Sequence, residues 1–225
     1  MNNVRMARKS ASNASNASKT TVSARKKPVQ SRSLMTLAAL QEAFVRVLVD
    51  RGYEKMTIRE VASVAGVGIG TFYDYVPNLK ALAASSIHKR CLECAEILKK
   101  AVHEQQGQPI RQIVHTLLKT LIEQGFATPK EWTALLLLER QVSSAVALRK
   151  IHETYVEIWA DALRTSSTPI AQTKIMPVAR MAHAISYGWY SHDLLFYHDD
   201  PLHSRSLDEI GYAIVGFVHS SSLQS

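Results

Sequence analysis

Cysteine is nearly missing from this chain: Cys91 and Cys94 are the only two in 225 residues, too few for a disulfide framework. No apolar run approaches the roughly 18 residues that a membrane span needs. The N-terminus has no apolar core of the kind a secretory signal carries. No stretch alternates apolar and polar residues with period two, so there is no strand signal. Catalytic signatures are absent as well: there is no GxSxG, P-loop, HExxH or dinucleotide fingerprint. The histidines are scattered over several predicted helices, and the paired Asp199-Asp200 falls in a predicted loop. These absences exclude a disulfide scaffold, an integral membrane protein and the common enzyme classes. They leave an all-α, cytoplasmic, non-enzymatic protein with no cofactor and no resident metal, one whose 46% hydrophobic content is ordinary for a folded core.

Acidic residues are missing from one end only. Residues 1–33 carry eight bases (Arg5, Arg8, Lys9, Lys19, Arg25, Lys26, Lys27 and Arg32) and no acid. The net charge of +8 therefore belongs entirely to this tail. Its Ser/Asn/Ala-rich composition offers little apolar surface to offset the entropy of ordering, which predicts disorder over residues 1–32. Such a tail is either an arm that lies along phosphates at low salt or simply a solvated extension.

The most informative stretch is Thr57 to Val76, TIREVASVAGVGIGTFYDYV. Thr57 followed three residues later by Glu60 reads as a capping box, the hydroxyl accepting from the first turn and the carboxylate reaching back to the Thr57 backbone. Ile58, Val61, Ala62 and Ala65 then recur on one helical face. Gly66 stands where a helix C-cap needs a left-handed residue, and Gly68 suits the next N-cap. Ile69 to Tyr75 gives barely two turns with Phe72 as core anchor, while Thr71, Tyr73, Asp74 and Tyr75 remain to project outward. A helix, a glycine turn and a short second helix with polar and aromatic tips make a helix-turn-helix. Within it Gly70 costs about 1 kcal/mol against Ala, which close approach of DNA or of a neighbouring helix would compensate. Thr71 suits a phosphate or a thymine methyl. Tyr73 and Tyr75 suit phosphate oxygens or packing against neighbouring helices. Ile69 and Asp74 are the better candidates for base edges, and Thr57, Arg59, Gly68 and Lys80 complete the candidate DNA-contacting set.

The run Thr57-Ile58, Val61-Ala62, Ala65-Gly66-Val67, Gly70-Thr71-Phe72-Tyr73, Tyr75-Val76, Asn78-Leu79-Lys80 and Leu82 resembles the DNA-binding domain of the TetR family of bacterial repressors, over about residues 33–90. Two positions depart from the family pattern. Val76 stands where members usually carry Phe, and Leu79 where they usually carry a phosphate-contacting Lys. Lys80 is one position on, roughly 100° around the helix. The resemblance implies a reading domain over 33–78 and a helical effector-binding and dimerisation domain over 79–225. It also implies an elongated connecting helix whose tilt sets the spacing of two reading heads.

Helical periodicity continues on both sides of the motif. Leu37, Leu40, Phe44, Val47 and Leu48 form a stripe on a first helix expected from Leu34 to about Arg51, capped by Ser33 and closed by Gly52. Asn78 caps the long helix that carries Leu82, Ile87, Cys91, Ala95, Leu98 and Val102. Further helices are expected from Pro109 to a stop at Gly125, from Trp132 to Ser143, and from Ala145 to Arg164. Two more run from Pro169 to about His198, kinked at Pro177, and from Leu207 to about His219. The run Leu135 to Leu138 is apolar all round and predicts deep burial. Met181, Ile185, Trp189, Ile214 and Phe217 form an apolar surplus on the last two helices. They are either ordinary core or, as the resemblance implies, part of a four-helix dimer interface.

His115, Trp132, Tyr155, Trp159, His183 and Tyr187 are the candidates for the effector pocket that the resemblance implies, and their rings suit a hydrophobic or aromatic small molecule. His88, Cys91 and Cys94 share one helical face, but lack a fourth ligand and read as small core residues rather than a metal or redox sensor. The sequence therefore points to a homodimeric repressor that binds a palindromic double-stranded operator and is released by a small molecule. The alternative is an effector-independent architectural or interaction protein that binds DNA largely through its basic tail.

Overall fold

The computed structural model describes residues 27–197 and 206–223. The expected disordered tail and the loop from His198 to Ser204 lie outside the described residues, apart from the tail's last few positions. The chain divides into two compact units, Met1–Met35 and Thr36–Ser225. Of the first, the described part is the opening of one helix; the architecture below is that of the second.

The described residues hold nine α-helices, one short 3-10 turn and no strand: α1 (Lys27–Arg51), the turn Tyr53–Lys55, α2 (Ile58–Val64), α3 (Ile69–Tyr75), α4 (Leu79–Glu104), α5 (Ile110–Ala127), α6 (Pro129–Val142), α7 (Ala145–Thr165), α8 (Gln172–Phe196) and α9 (Ser206–Leu223). The all-α expectation is met. Helix α1 begins at Lys27, two turns before the expected start, so Ser33 is an interior residue and no cap. Pro28 is compatible with this, because a first-turn residue has no helical partner for its N–H.

The punctuation follows the sequence closely. Gly52 closes α1 at φ 75°. Asn78 caps α4 by accepting from the Ala81 N–H at 2.8 Å, and Ser144 caps α7 through the Ala147 N–H at 3.2 Å. Two expectations fail. Helix α5 does not stop at Gly125 but runs through it, and the reason is steric: the Tyr190 ring lies where a side chain at 125 would be. The leucine run is only half buried; Leu135 and Leu138 face inward, while Leu137 is 58% exposed, because 3.6 residues per turn carries the outer half of any such run to the surface.

Two apolar clusters result. One joins α4, α5, α7, α8 and α9 around Leu98, Leu118, Trp159, Ala179 and Ile214. The other gathers α1, α2, α3 and the start of α4 around Leu40, Phe44, Val61, Phe72 and Leu82, and it also takes in Leu135, Leu138 and Val142 of α6. Helix α6 therefore belongs to the core beneath the helix-turn-helix. Ile214, expected at a dimer surface, is 0% exposed and is a core residue of the first cluster; its helix turns this face onto α5 and α8. Met181 is exposed, whereas Ile185, Trp189 and Phe217 are partly buried against the first cluster.

Candidate functional site

The helix-turn-helix is built from its turn outward. The Thr57 hydroxyl accepts from the Glu60 N–H at 3.2 Å. The other half of the expected capping box is replaced: the Glu60 carboxylate meets Arg51 Nε at 2.9 Å and ties α2 to the end of α1. At the far end of α2, Gly66 adopts φ 70°, its N–H donates to the Ser63 carbonyl at 3.1 Å, and the Val67 N–H donates to the Ala62 carbonyl at 2.9 Å. This pair of bonds is a Schellman motif, which satisfies the last carbonyls of α2 and turns the chain sharply into α3. Val61, Ala62 and Phe72 are buried and lock the two helices together.

With Phe72 inward, the outer side of the motif is fixed by helical geometry. Thr57, Arg59, Gly68, Ile69, Tyr73, Asp74 and Lys80 are exposed, and Thr71 is half-buried. Tyr73 is 54% exposed while its ring meets the edge of Phe72 at a centroid distance of 5.4 Å, so an inner aromatic steadies an outer one. Tyr75 is half-buried, with its ring packed on the reading-domain core. No described residue comes within 4 Å of a side chain built at Gly70, so close approach of a described neighbouring helix does not account for that glycine. At the two departures from the family pattern, Val76 is buried and Leu79 packs on the same core, while Lys80 faces solvent.

A second feature lies among α4, α5, α6, α7 and α8: a cavity of about 420 Å³ with a mostly apolar wall. Trp132, Tyr155, Trp159, His183 and Tyr187 all line it. His115 does not. It is exposed on α5 beside a separate hollow against α9, having been placed on the outer face by the helical turn from Val114. Sequence reasoning missed Glu139, His152, Ser186 and Tyr190, which also line the cavity. The signal for the last two was present, since His183, Ser186, Tyr187 and Tyr190 recur at spacings of 3, 1 and 3 on one face of α8.

Burial sets the electrostatics of this wall. Desolvation, helped by His152, lowers the His183 pKa to about 4, so its imidazole is neutral at physiological pH. Its ring stacks on Tyr155 at 5.7 Å between centroids and lies 4.8 Å from His152. The Tyr155 hydroxyl donates to the Cys91 carbonyl at 2.9 Å, fastening α7 to α4, and burial holds its phenol protonated. Burial also pushes the Cys91 thiol up to about 12 and raises that of Cys94, which makes both poor nucleophiles and poor metal ligands. Among the described residues no three His, Cys, Asp or Glu side chains gather as a metal site. The Tyr190 hydroxyl is buried and has no hydrogen-bond partner among the described residues.

Residues 40–85, which include the entire helix-turn-helix, match the family model described as bacterial regulatory proteins, tetR family. The domain built on this motif belongs to the TetR family. The fold of TetR-family regulators extends over about four-fifths of the chain. A TetR family transcription regulator from Marinobacter aquaeolei is 14% identical, with a TM-score of 0.62 over 82% of this chain and 97% of that one. The fatty acid degradation regulator FadR from Bacillus halodurans is 15% identical, with a TM-score of 0.62 over 80% and 94%. A transcriptional regulator from a Rhodococcus species is 18% identical, with a TM-score of 0.63 over 83% and 97%. No curated protein matches the sequence. The fold is that of a DNA-binding transcription regulator, and no helix among the described residues is long and apolar enough to cross a membrane.

Proposed function

We propose that this chain is a homodimeric, sequence-specific repressor whose hold on a palindromic operator is released when a small molecule fills the cavity. Residues 33–78 are the reading domain; residues 79–225 hold the effector and form the dimer. Thr71, Tyr73, Thr57, Arg59, Gly68 and Lys80 engage the DNA backbone, while Ile69 and Asp74 face base edges. Close approach of the duplex accounts for Gly70. The observation that carries the reading is the double membership of Leu135: it lines the cavity and belongs to the core beneath the helix-turn-helix. A ligand that presses on α6 thus acts on the packing that sets the attitude of α2 and α3, and the differential affinity of the two arrangements releases DNA.

An ionic joint reinforces that connection. Arg90 of α4 pairs with Glu42 of α1 at 2.7 Å and with Glu131 of α6 at 2.9 Å, and Lys89 adds a second contact to Glu42 at 2.9 Å. Burial alone would raise the Glu42 carboxyl, but Lys89 and Arg90 outweigh it and hold its pKa below the ordinary value. For the dimer, exposed Met181 on α8 and Tyr212 on α9 remain as apolar surface, and no described residue covers Gly188 or Gly216. Both glycines are places where a second copy can approach closely.

Selection of bound duplexes from a random DNA pool tests the reading. Enrichment of a palindrome with half-sites about one helical turn, 34–36 Å, apart supports it, and a cavity-directed ligand should then release that duplex. Retention of DNA with no enriched motif would favour the alternative, in which the eight tail bases supply sequence-independent affinity and no effector is involved.

A further inference from the structure

Glu139 is the one charged group buried in the wall of the cavity. It is 9% exposed, and its carboxylate forms no hydrogen bond or salt bridge with another described residue. A carboxylate largely removed from bulk water without an ion pair is costly. Burial accordingly raises its pKa, against a smaller opposing pull from Arg140. Arg140 is itself exposed and lies beside the Tyr187 hydroxyl, so it does not fill the place of a buried counter-ion. His183 shares the cavity but is neutral. Of the remaining polar wall, His152 is exposed and lies against the His183 ring rather than in the buried wall, and Tyr155, Tyr187, Tyr190, Ser186 and two protonated thiols carry no positive charge.

The rings around this acid complete the pattern. Trp132, Tyr155, Trp159, Tyr187 and Tyr190 line the same cavity, and Tyr187 is near enough to Glu139 for the carboxylate to raise its phenol. Aromatic faces attract a desolvated cation through their quadrupole. A buried acid with no buried base, in a cavity that aromatic rings also line, leaves a place for positive charge that the buried wall does not fill. Resting on the reading of this cavity as the effector site, we propose that its ligand is an amphipathic cation. Such a ligand has an apolar body and one ammonium or delocalised positive group, the latter seated against Glu139 and the rings beside it. An anionic amphiphile would place its charge against the same carboxylate, with only the exposed Arg140 to offset it.

The test is isothermal titration of the full-length protein at neutral pH with three probes that share one tail: decyltrimethylammonium, decanol and decanoate, each below its micellar concentration. The ammonium should bind at least about tenfold more tightly than the other two, a difference of about 1.4 kcal/mol. Glu139→Gln should abolish that preference while decanol binding stays as in the wild type, which also shows that the variant is folded. Decanoate binding as tightly as the ammonium, or an ammonium preference untouched by Glu139→Gln, would overturn the proposal. If decanol or decanoate bound best and released DNA, the cation would be refuted and the effector reading would stand. Binding of none of the three, with specific DNA binding intact, would overturn both.

Discussion

The contact between Gly125 and Tyr190 sets two known effects against each other and so yields a prediction with a sign. Gly125 is buried inside α5, where alanine would be favoured over glycine by about 1 kcal/mol on helix propensity alone. A methyl group at that position would lie 2.7 Å from Tyr190 Cε2 and 2.9 Å from Cζ, with the hydroxyl nearer still. Overpacking of this kind costs about 1–3 kcal/mol. Gly125→Ala should therefore be neutral or destabilising by up to about 2 kcal/mol, instead of stabilising by 1. The Tyr190 ring lines the cavity, and a ring pushed into that space should make the same variant bind cavity ligands more weakly.

Urea unfolding of the wild type, Gly125→Ala, Tyr190→Ala and the double variant separates the two effects. With the ring removed, Gly125→Ala should recover its propensity gain and stabilise by about 1 kcal/mol. The coupling energy is then about 1–3 kcal/mol, equivalent to a few degrees in melting temperature for a unit of this size. If Gly125→Ala stabilises by the same 1 kcal/mol in both backgrounds, the ring does not occupy the space over Gly125 and the reasoning fails.

Other perturbations follow from the same structure. Tyr73→Ala should weaken specific duplex binding in a gel-shift assay by at least tenfold, about 1.4 kcal/mol, with little change in stability because the side chain is half outside; unchanged binding would remove Tyr73 from the interface. Thr57→Ala should lower stability by about 1 kcal/mol through loss of the α2 cap, and Thr57→Ser should restore most of it. Arg90→Met removes the joint between α1, α4 and α6, and should leave operator affinity in place while reducing ligand-induced release; full release in that variant would place the coupling elsewhere. His183 has a folded pKa of about 4 against an unfolded 6.5, so the unfolded chain takes up the proton first. Its contribution is complete above pH 6.5 and falls as the pH drops towards 4, by on the order of 3 kcal/mol. Urea midpoints across that window should show this loss, and His183→Gln should flatten it.

What could be read from the sequence and what could not divides along local and non-local physics. The turn between α2 and α3 was legible because Thr57, Gly66 and Asn78 each solve a problem within a few residues of themselves: an orphan N–H, a left-handed φ, a new helix start. The limits of α5 were not, because Gly125 looks like a stop and is in fact a seat for a ring on α8, which is distant in sequence. Glu60 shows the same division on a smaller scale, since its N–H obeys the local capping rule while its carboxylate goes to Arg51. Five of the six proposed pocket residues converge on one cavity because they lie on the inner stripes of amphipathic helices. His115 is a mid-helix polar ring as well, and only the rotation of α5 decides that it faces out. Glu139 was invisible for the opposite reason, since an acid followed by Arg140 reads as a surface pair until α6 is seen to be packed on both sides.

If the cavity holds an effector, that double packing of α6 offers a route by which it would reach the reading domain. An element that touched only the cavity could respond to a ligand but could not report it, and one buried only in the reading domain could not sense it. Helix α6 puts Trp132 and Glu139 on the cavity and Leu138 and Val142 into the core of α1 to α3, with Leu135 on both, while Glu131 at its start grips Arg90. Close-packed cores do not deform continuously. On the proposed mechanism, a ligand that fills the cavity would shift α6 as a unit, and the shared cluster of α1 to α4 would have to accommodate the side chains at its other face. The ionic joint at Arg90 keeps α4 in step with that movement, because its guanidinium holds α1 and α6 at once. On that reading, the polar residues that look most dispensable on the surface of α4 are the ones that would couple two adjacent cores.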